Sequence, residues 1–268
     1  MSAFDFDAII KNGIDKIYSQ DYPATEHRIK AVAKLRKMDY KIMIDAKAFF
    51  VPNDEYMKIF FGSFITTPEF DCYDQSGDVC YWLGYLVFPI YNALDEIVGL
   101  VGFNPINKEK AQQPEFWSLS YYRHSSKKLM DRKKFLFGMK GLYLRALNEG
   151  YIILTDGVFD TINGAAHGLV TGALLGSYFG LELIAILKFI PLVYLAVDDD
   201  QAGLQLLDRL KEYLPNIRAI RHNVGKDLDD ILKSEYCDDF LKEFKKNKES
   251  KIPKDLIYRR KLDVRRNR

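Results

Sequence analysis

Residues 191–203 run Pro-Leu-Val-Tyr-Leu-Ala-Val-Asp-Asp-Asp-Gln-Ala-Gly and carry the clearest indication of the fold class of the chain. Its first half, up to Val197, is apolar throughout, which is typical of a strand buried on both faces of a sheet. Such strands occur where helices cover both faces, and ligands then gather at the carboxyl ends of the strands. The stretch therefore predicts a parallel sheet that delivers three consecutive carboxylates to a site.

The sequence on either side of this stretch alternates between apolar runs and amphipathic segments. Further apolar runs begin at Tyr151 and Gly168, residues from Asn216 to His222 are strand-like, and each of these stretches is followed by a segment with helical spacing. This alternation predicts strands and helices in turn, from 151 to beyond 227. Two more of the strand ends are acidic, namely Asp156-Gly157 and, after a short loop, Gly-Lys-Asp-Leu-Asp at 225–229.

The first half of the chain has a different character. Residues 1–60 have mostly helical spacing, whereas residues 80–105 hold two apolar, aromatic-rich runs around a short polar turn, which predicts a hairpin. A further helix is predicted from about 136 to 150. The expected fold class is α/β. It comprises an α+β amino-terminal basic subdomain at 1–148, a Rossmann-like parallel sheet flanked by helices at 149–244, and a basic tail at 245–268.

The composition excludes several classes of protein. Hydrophobic residues make up 48% of the chain and aromatic residues 14%, which is enough for a packed core and argues against disorder. No apolar run approaches the roughly 20 residues of a membrane span. The acidic start lacks the plan of a signal peptide, and three cysteines cannot form a disulfide framework. We expect an enzyme of the cytoplasm.

Basic residues are concentrated in two segments. The last 24 residues carry 11 Lys/Arg against 3 Asp/Glu, whereas the rest of the chain carries 28 against 34. Between Arg123 and Lys140 there are 7 Lys/Arg, opposed only by Asp131. Such clusters suit a polyanion, because each neutralised phosphate releases counterions. The alternative is a solvated tail and a solvated helix face.

The acidic triplet Asp198-Asp199-Asp200 has two explanations. It could cap a helix and complement its dipole. Its placement at a buried strand end favours a metal site instead, because converging carboxylates repel one another unless a cation binds, and oxygen ligands suit Mg²⁺ or Mn²⁺. Residues two apart in an extended segment face the same side, so Asp198 and Asp200 form the expected pair, with Asp156 arriving from a second strand.

The three acidic segments resemble, in order, the Toprim domain of DnaG-type bacterial and phage primases. That family carries Glu-Gly-x-x-Asp, Asp-x-Asp-x-Ala-Gly and Gly-Lys-Asp-x-Asp motifs, matched here by residues 156–160, 198–203 and 225–229. The second and third motifs match fully, and the first has Asp156 in place of Glu. The hairpin and the basic segment upstream are also similar to the primase core, so the resemblance covers about residues 80–235.

The resemblance implies a DNA primase, a nucleotidyltransferase that makes short RNA primers on single-stranded DNA by metal-dependent phosphoryl transfer. Catalytic roles are implied for Asp156, Asp198 and Asp200. The implied ligands of Mg²⁺ or Mn²⁺ are Asp156, Asp160, Asp198, Asp200, Asp227 and Asp229. For Asp160 the alternative is a carboxylate on a helix surface, and for Asp227 and Asp229 it is helix capping.

The expected nucleic-acid contacts come from the basic segment. The residues expected to grip the template backbone are Arg123, Lys127, Lys128, Arg132, Lys133 and Lys134. Lys226 could contact phosphate or be solvated. The family usually has an Arg near the end of the hairpin, where this chain has Gly102-Phe103-Asn104, and a residue of the basic segment could compensate.

The expected partners are a single-stranded DNA template and ribonucleoside triphosphates. Cys72 and Cys80 lack a second Cys/His pair, so no zinc is expected. A replicative helicase, or a separate zinc-ribbon or single-strand-binding protein, could then assist in a bacterial or phage-infected cytoplasm. Two other functions stay open: a Toprim nuclease, which would need only residues 150–235, and a catalytically degenerate nucleic-acid-binding module of the replisome, which Asp156 favours.

Overall fold

The computed structural model describes most of the chain and divides it into two compact units. The described ranges are 5–53, 55–62, 66, 72–73, 80–105, 122–125, 129–176, 178–196, 200–225 and 227–259. The units meet between Lys140 and Gly141, whereas the sequence suggested a boundary between 148 and 149. Among the described residues, none of the helices combines the length and the apolar character that a membrane span needs.

The first unit begins with helices, as the sequence predicts for residues 1–60. Helix α1 is capped by the side chain of Asp5, and Gly13 on it faces α4 so closely that a Cβ there would lie 2.1 Å from the ring of Phe61. This close approach lets the apolar face of α1 join the aromatic core of the unit. The helices are α1 (Phe6–Gln20), α2 (Tyr22–Arg36), α3 (Tyr40–Asp45) and α4 (Tyr56–Phe61).

The predicted hairpin is confirmed as the centre of a four-stranded antiparallel sheet in the first unit. Its order is β1-β2-β3-β4. Every residue of β2 is buried, which explains why its sequence is apolar throughout rather than alternating. The strands are β1 (Phe49–Phe50), β2 (Leu86–Tyr91), β3 (Ile97–Phe103) and β4 (Tyr122–His124).

The helix predicted from about 136 to 150 is shorter than expected. Leu136–Phe137 form a short strand, β5, after a 3-10 turn at Arg132–Lys134, and helix α5 covers only Leu142–Glu149. Gly141 precedes the helix with a φ of 79°, a left-handed conformation that interrupts any helix running through it. The prediction was wrong at its start because apolar spacing alone does not show where the backbone reverses.

The second unit is built on parallel strands. Five of them lie in the order β10-β9-β8-β6-β7, with each neighbouring pair parallel. This confirms the parallel sheet expected from the apolar runs. The strands are β6 (Tyr151–Thr155), β7 (Thr171–Leu174), β8 (Leu192–Leu195), β9 (Ile217–His222) and β10 (Leu256–Tyr258).

Helices alternate with these strands, in the predicted sequence. Phe244 of the last helix packs on Tyr151 and Tyr194, with ring centroids 5.4 and 5.2 Å apart. This packing shows why strand residues are apolar on the face that this helix covers. The helices are α6 (Val158–Ala166), α7 (Leu181–Leu187), α8 (Gln201–Lys211), α9 (Leu228–Leu232) and α10 (Cys237–Lys248).

The segment expected to be a basic tail, 245–268, contributes to this unit. It includes the end of α10 and strand β10, whose Leu256, Ile257 and Tyr258 pair with β9. The first basic residues of the segment, Lys245, Lys246 and Lys248, therefore lie on a folded helix. Residues 260–268 lie outside the described part of the chain.

Candidate active site at the carboxyl ends of the parallel strands

The order of the strands brings the acidic motifs together. β8 lies between β6 and β9, with Leu154 beside Leu195 and Leu195 beside Ala219. The chain passes from β6 outward to β7 and then returns to the other side of β6 with β8, so a topological switch point lies between β6 and β8. Ligands of open parallel sheets bind at such a crevice. Asp156 follows β6 here, and Asp200 follows β8.

Asp200 is the capping residue of helix α8. Its Oδ1 accepts a hydrogen bond of 2.8 Å from the backbone N–H of Gly203, so the capping alternative raised by the sequence is correct for this residue. The cap uses one of the two carboxylate oxygens and fixes the side chain. Asp200 and Asp156 are both exposed, and the two residues line one groove of about 780 Å³. Capping and ligand binding are therefore compatible.

Asp160 is buried, not on a helix surface. It lies on the first turn of α6 with 5% of its surface exposed, and its Oδ1 accepts a hydrogen bond of 3.0 Å from the backbone N–H of Asp229. Its Oδ2 occupies the space above Gly157, where a Cβ would lie only 2.2 Å away. The glycine of the first motif is thus required by the carboxylate three residues later.

The pKa of Asp160 is raised by burial and by neighbouring carboxylates. Burial, with the negative charges of Asp227 and Asp156, raises the pKa of this group to about 8, against the opposing hydrogen bond from Asp229. A set of oxygen ligands that repel one another is the donor set that a hard divalent cation relieves. The residues therefore fit Mg²⁺ or Mn²⁺ by their chemistry.

Asp229 makes a buried network with two groups that sequence reasoning missed. Its Oδ1 accepts from Asn163 Nδ2 at 2.8 Å, and its Oδ2 pairs with Lys233 Nζ. Asp229 is 4% exposed, so the ammonium balances a charge that water does not reach. Asp229 and Lys233 are four residues apart, a spacing that brings side chains together along a helix and from which this pair could have been predicted. Nothing in the sequence singled out Asn163.

The third motif forms a tight turn into α9. Asp227 caps that helix, because its Oδ1 accepts a hydrogen bond of 2.9 Å from the backbone N–H of Asp230. The helix-capping role that the sequence offered as the alternative for Asp227 is therefore also correct. Gly225 has a φ of 74°, and a Cβ on it would lie 2.3 Å from Cβ of Asp230. Only glycine fits this position, both for its conformation and for its space.

Several predicted site residues lie outside the described part of the chain. They are Asp198 of the central motif, Lys226 of the third motif, and Lys127 and Lys128 of the basic segment. Within the described residues, no three acidic, histidine or cysteine side chains are arranged closely enough to hold a metal ion. The metal cluster predicted from the sequence includes Asp198, which lies outside those residues.

The predicted nucleic-acid contacts that the structure describes, Arg123, Arg132, Lys133 and Lys134, lie in the first unit. β4 pairs with β3 so that Arg123 stands directly opposite Gly102. Its guanidinium lies 5.0 Å from the ring centroid of Tyr85 and donates a hydrogen bond to the carbonyl oxygen of Tyr81. Arg132 and Lys133 are exposed on the following 3-10 turn, and Lys134 is half-buried.

Solved structures share this fold, although no protein-family model and no curated protein matches the sequence. The DnaG primase catalytic domain bound to single-stranded DNA matches with a TM-score of 0.65 and 17% identity, over 89% of this chain and 80% of that one. The RNA polymerase domain of Mycobacterium tuberculosis DnaG, in complex with a double-stranded DNA that has a 6-nucleotide overhang, gives 0.66 and 16%, over 90% and 78%. The Escherichia coli primase catalytic core gives 0.62 and 19%, over 85% and 74%. This chain has the fold of a DnaG primase catalytic core.

Proposed function

We propose that the chain is a DNA primase, which makes short RNA primers on a single-stranded DNA template from ribonucleoside triphosphates. The observation that carries the proposal is the convergence of acidic motifs at neighbouring strand ends, β6, β8 and β9, in a chain with the fold of the DnaG catalytic core. The motifs at those ends are the ones that define the Toprim resemblance. Fold and motifs thus support the same chemistry from independent directions.

The residues to which we assign the metal are Asp156, Asp198 and Asp200. Mg²⁺ or Mn²⁺ held there would lower the pKa of a primer 3′-hydroxyl and neutralise the charge of an incoming triphosphate. Asp200 contributes a carboxylate already oriented by its bond to Gly203. Asp156 has one methylene less than the family's Glu, so its carboxylate stays closer to the end of β6.

The remaining carboxylates form a supporting layer. Asp160, with its pKa raised to about 8, keeps a proton at neutral pH in the metal-free chain and so limits repulsion around Asp156. Both oxygens of Asp229 are used by Asn163 and Lys233. We therefore assign Asp229 the role of positioning helix α9 and the capping residue Asp227. This role replaces the direct metal ligation that the sequence suggests for Asp229.

The template backbone is assigned to the basic residues of the first unit. Arg123 is held with its planar guanidinium on aromatic rings, which fixes the fork of N–H donors that phosphate oxygens accept. Arg132, Lys133 and Lys134, with Lys127 and Lys128, would add charge along the strand. Lys226, beside Gly225, would contact phosphate at the metal site. A helicase or a separate zinc-ribbon or single-strand-binding protein would act with the chain in the cytoplasm.

The test is synthesis on a defined template. The chain, single-stranded DNA, ribonucleotides and Mg²⁺ or Mn²⁺ should yield short RNA whose sequence follows the template. Asp200→Asn should lower the rate about 10²-fold or more, because a charged group at the reacting centre is lost while the cap to Gly203 is kept. The matched control is Asp239→Asn on the exposed surface of α10, which should not change the rate.

Other outcomes distinguish the alternatives. Degradation of the template without synthesis, lost in Asp200→Asn, would replace the primase by a nuclease. Salt-sensitive binding of DNA without any chemistry would indicate a binding module of the replisome. Asp156→Glu, which restores the family's residue, should synthesise at least as much RNA as the parent chain. A loss of synthesis in that variant would contradict the role assigned to Asp156.

A further inference from the structure

The groove that contains Asp156 and Asp200 has an aromatic wall. Tyr178 follows β7 and lines the groove with 68% of its surface exposed. The guanidinium of Arg209, on α8, lies 5.7 Å from the centroid of its ring. A tyrosine is thus held beside the carboxylates by a cation, with most of its surface available to a ligand.

The neighbouring aromatic residue behaves differently. Phe179 is half-buried and packs edge-on against Tyr213 of the segment after α8, with centroids 6.0 Å apart. Packing of this loop on α8 is therefore served by Phe179, whereas the ring of Tyr178 faces the groove. Because a ring that stays in water buries little apolar surface, the exposed ring of Tyr178 adds little to the stability of the fold.

The charge of the groove indicates which part of a nucleotide would bind beside Tyr178. Among the described residues that line the groove, Arg209 is accompanied by four carboxylates. Even without the two that we assign to the metal, Asp208 and Glu212 outnumber Arg209, so a phosphate at this wall would meet a net negative charge, whereas a base is neutral and has a π-face. The metal-binding carboxylates and the aromatic wall therefore suit different parts of one ligand. The four acidic lining residues are Asp156, Asp200, Asp208 and Glu212.

We propose that Tyr178, steadied by Arg209, is a stacking platform for a nucleobase in the groove of the acidic motifs. The ligand class is an unpaired base on a sugar-phosphate, from either a free ribonucleotide or a single strand. The inference deepens the proposed function, because it places the base of a reacting nucleotide or strand beside the carboxylates. A stacked base contributes enough to change affinity about tenfold when the ring is removed.

The test is binding without synthesis. ATP and ribose 5-triphosphate form one pair of probes, and a short oligothymidylate and an abasic strand of equal length form another. Tyr178→Ala should weaken binding of the base-bearing member of a pair about tenfold and leave its baseless partner unchanged, while Tyr178→Phe should bind like the parent chain. Phe189→Ala, which removes a ring 78% exposed and outside the groove lining, is the matched control.

The pair that responds identifies the source of the base: the nucleotide, the strand or both. Equal affinities in Tyr178→Ala and the parent chain, equal losses with and without a base, or no binding of base-bearing probes by the parent chain would each overturn the inference. Arg209→Met should give a smaller loss in the same pair. If Tyr178→Ala makes primers and binds base-bearing probes as the parent chain does, the stacking role of Tyr178 is refuted and the proposed primase activity is not. If Tyr178→Ala loses affinity only for base-bearing probes and the parent chain makes no primers, the stacking role is supported and the primase activity is refuted.

Discussion

The buried pair of Asp229 and Lys233 gives the sharpest test of how the site is supported. In Lys233→Met the aliphatic stem is kept and the ammonium is removed, so the Asp229 carboxylate loses its ion pair and keeps its hydrogen bond from Asn163. Removing one partner of a buried pair costs about 3–5 kcal/mol. Lys233 keeps 20% of its side chain exposed, against 6% for Asp229, so some water reaches the ammonium side. We therefore expect a loss near the lower limit, about 2–3 kcal/mol.

A second substitution separates charge from packing. Asn at 229 can still accept from Asn163 and needs no cation, so Asp229→Asn combined with Lys233→Met should recover most of the loss, to within about 1 kcal/mol of the parent chain. Lys242→Met is the matched control on α10. Its pair with Asp239 is 3.7 Å long and its side chains are 78% and 70% exposed, so it should change stability by less than about 0.5 kcal/mol.

The measurement must report on the second unit. Trp82 is buried in the first unit, so its fluorescence reports on the unfolding of that unit and not of the second. Hydrogen exchange of peptides from β6 and α6 across a urea series gives the midpoint of the second unit directly. Equal midpoints for Lys233→Met and Lys242→Met, or a double variant as unstable as Lys233→Met, would refute the electrostatic argument.

The other predictions concern pH, backbone and template. The pKa of Asp160 rises from 3.8 in the unfolded chain to about 8 in the folded one. Between these two pH values the folded state binds more protons than the unfolded state, so the stability should fall as the pH rises from 4 to 8. Asp160→Asn should therefore flatten the dependence of the melting temperature on pH. Gly225→Ala should cost about 1–3 kcal/mol and lower primer synthesis, since its φ is 74° and Asp230 fills the space; Gly168→Ala, with a φ of 78° but open space, should cost less and spare synthesis. Arg123→Ala should reduce the slope of log K against log salt for single-stranded DNA by about 0.7, and an unchanged slope would remove Arg123 from the template contacts.

The sequence predicts the sheet well because its signals are local. Apolar runs such as 191–197 report burial on both faces, and the polar turn at 92–95 reports the hairpin. The start of α5 was missed because the left-handed turn at Gly141 is one of several conformations open to glycine. The folding of residues 245–258 was missed because Lys245 and Lys246 of α10 are exposed, whereas Phe244 and Leu256 are buried. Average charge conceals such alternation.

The acidic residues show a second limit. Sequence motifs group six carboxylates together, and the structure distinguishes members of the described set by what each already binds. Asp200 is capped but exposed, Asp160 is buried over Gly157, and Asp229 is neutralised by Lys233. A carboxylate whose two oxygens are used by protein donors is a poor candidate for a cation, because ligation would strand those donors. The motif therefore marks a place in the fold, whereas the hydrogen-bond partners decide which of its members can act on a substrate.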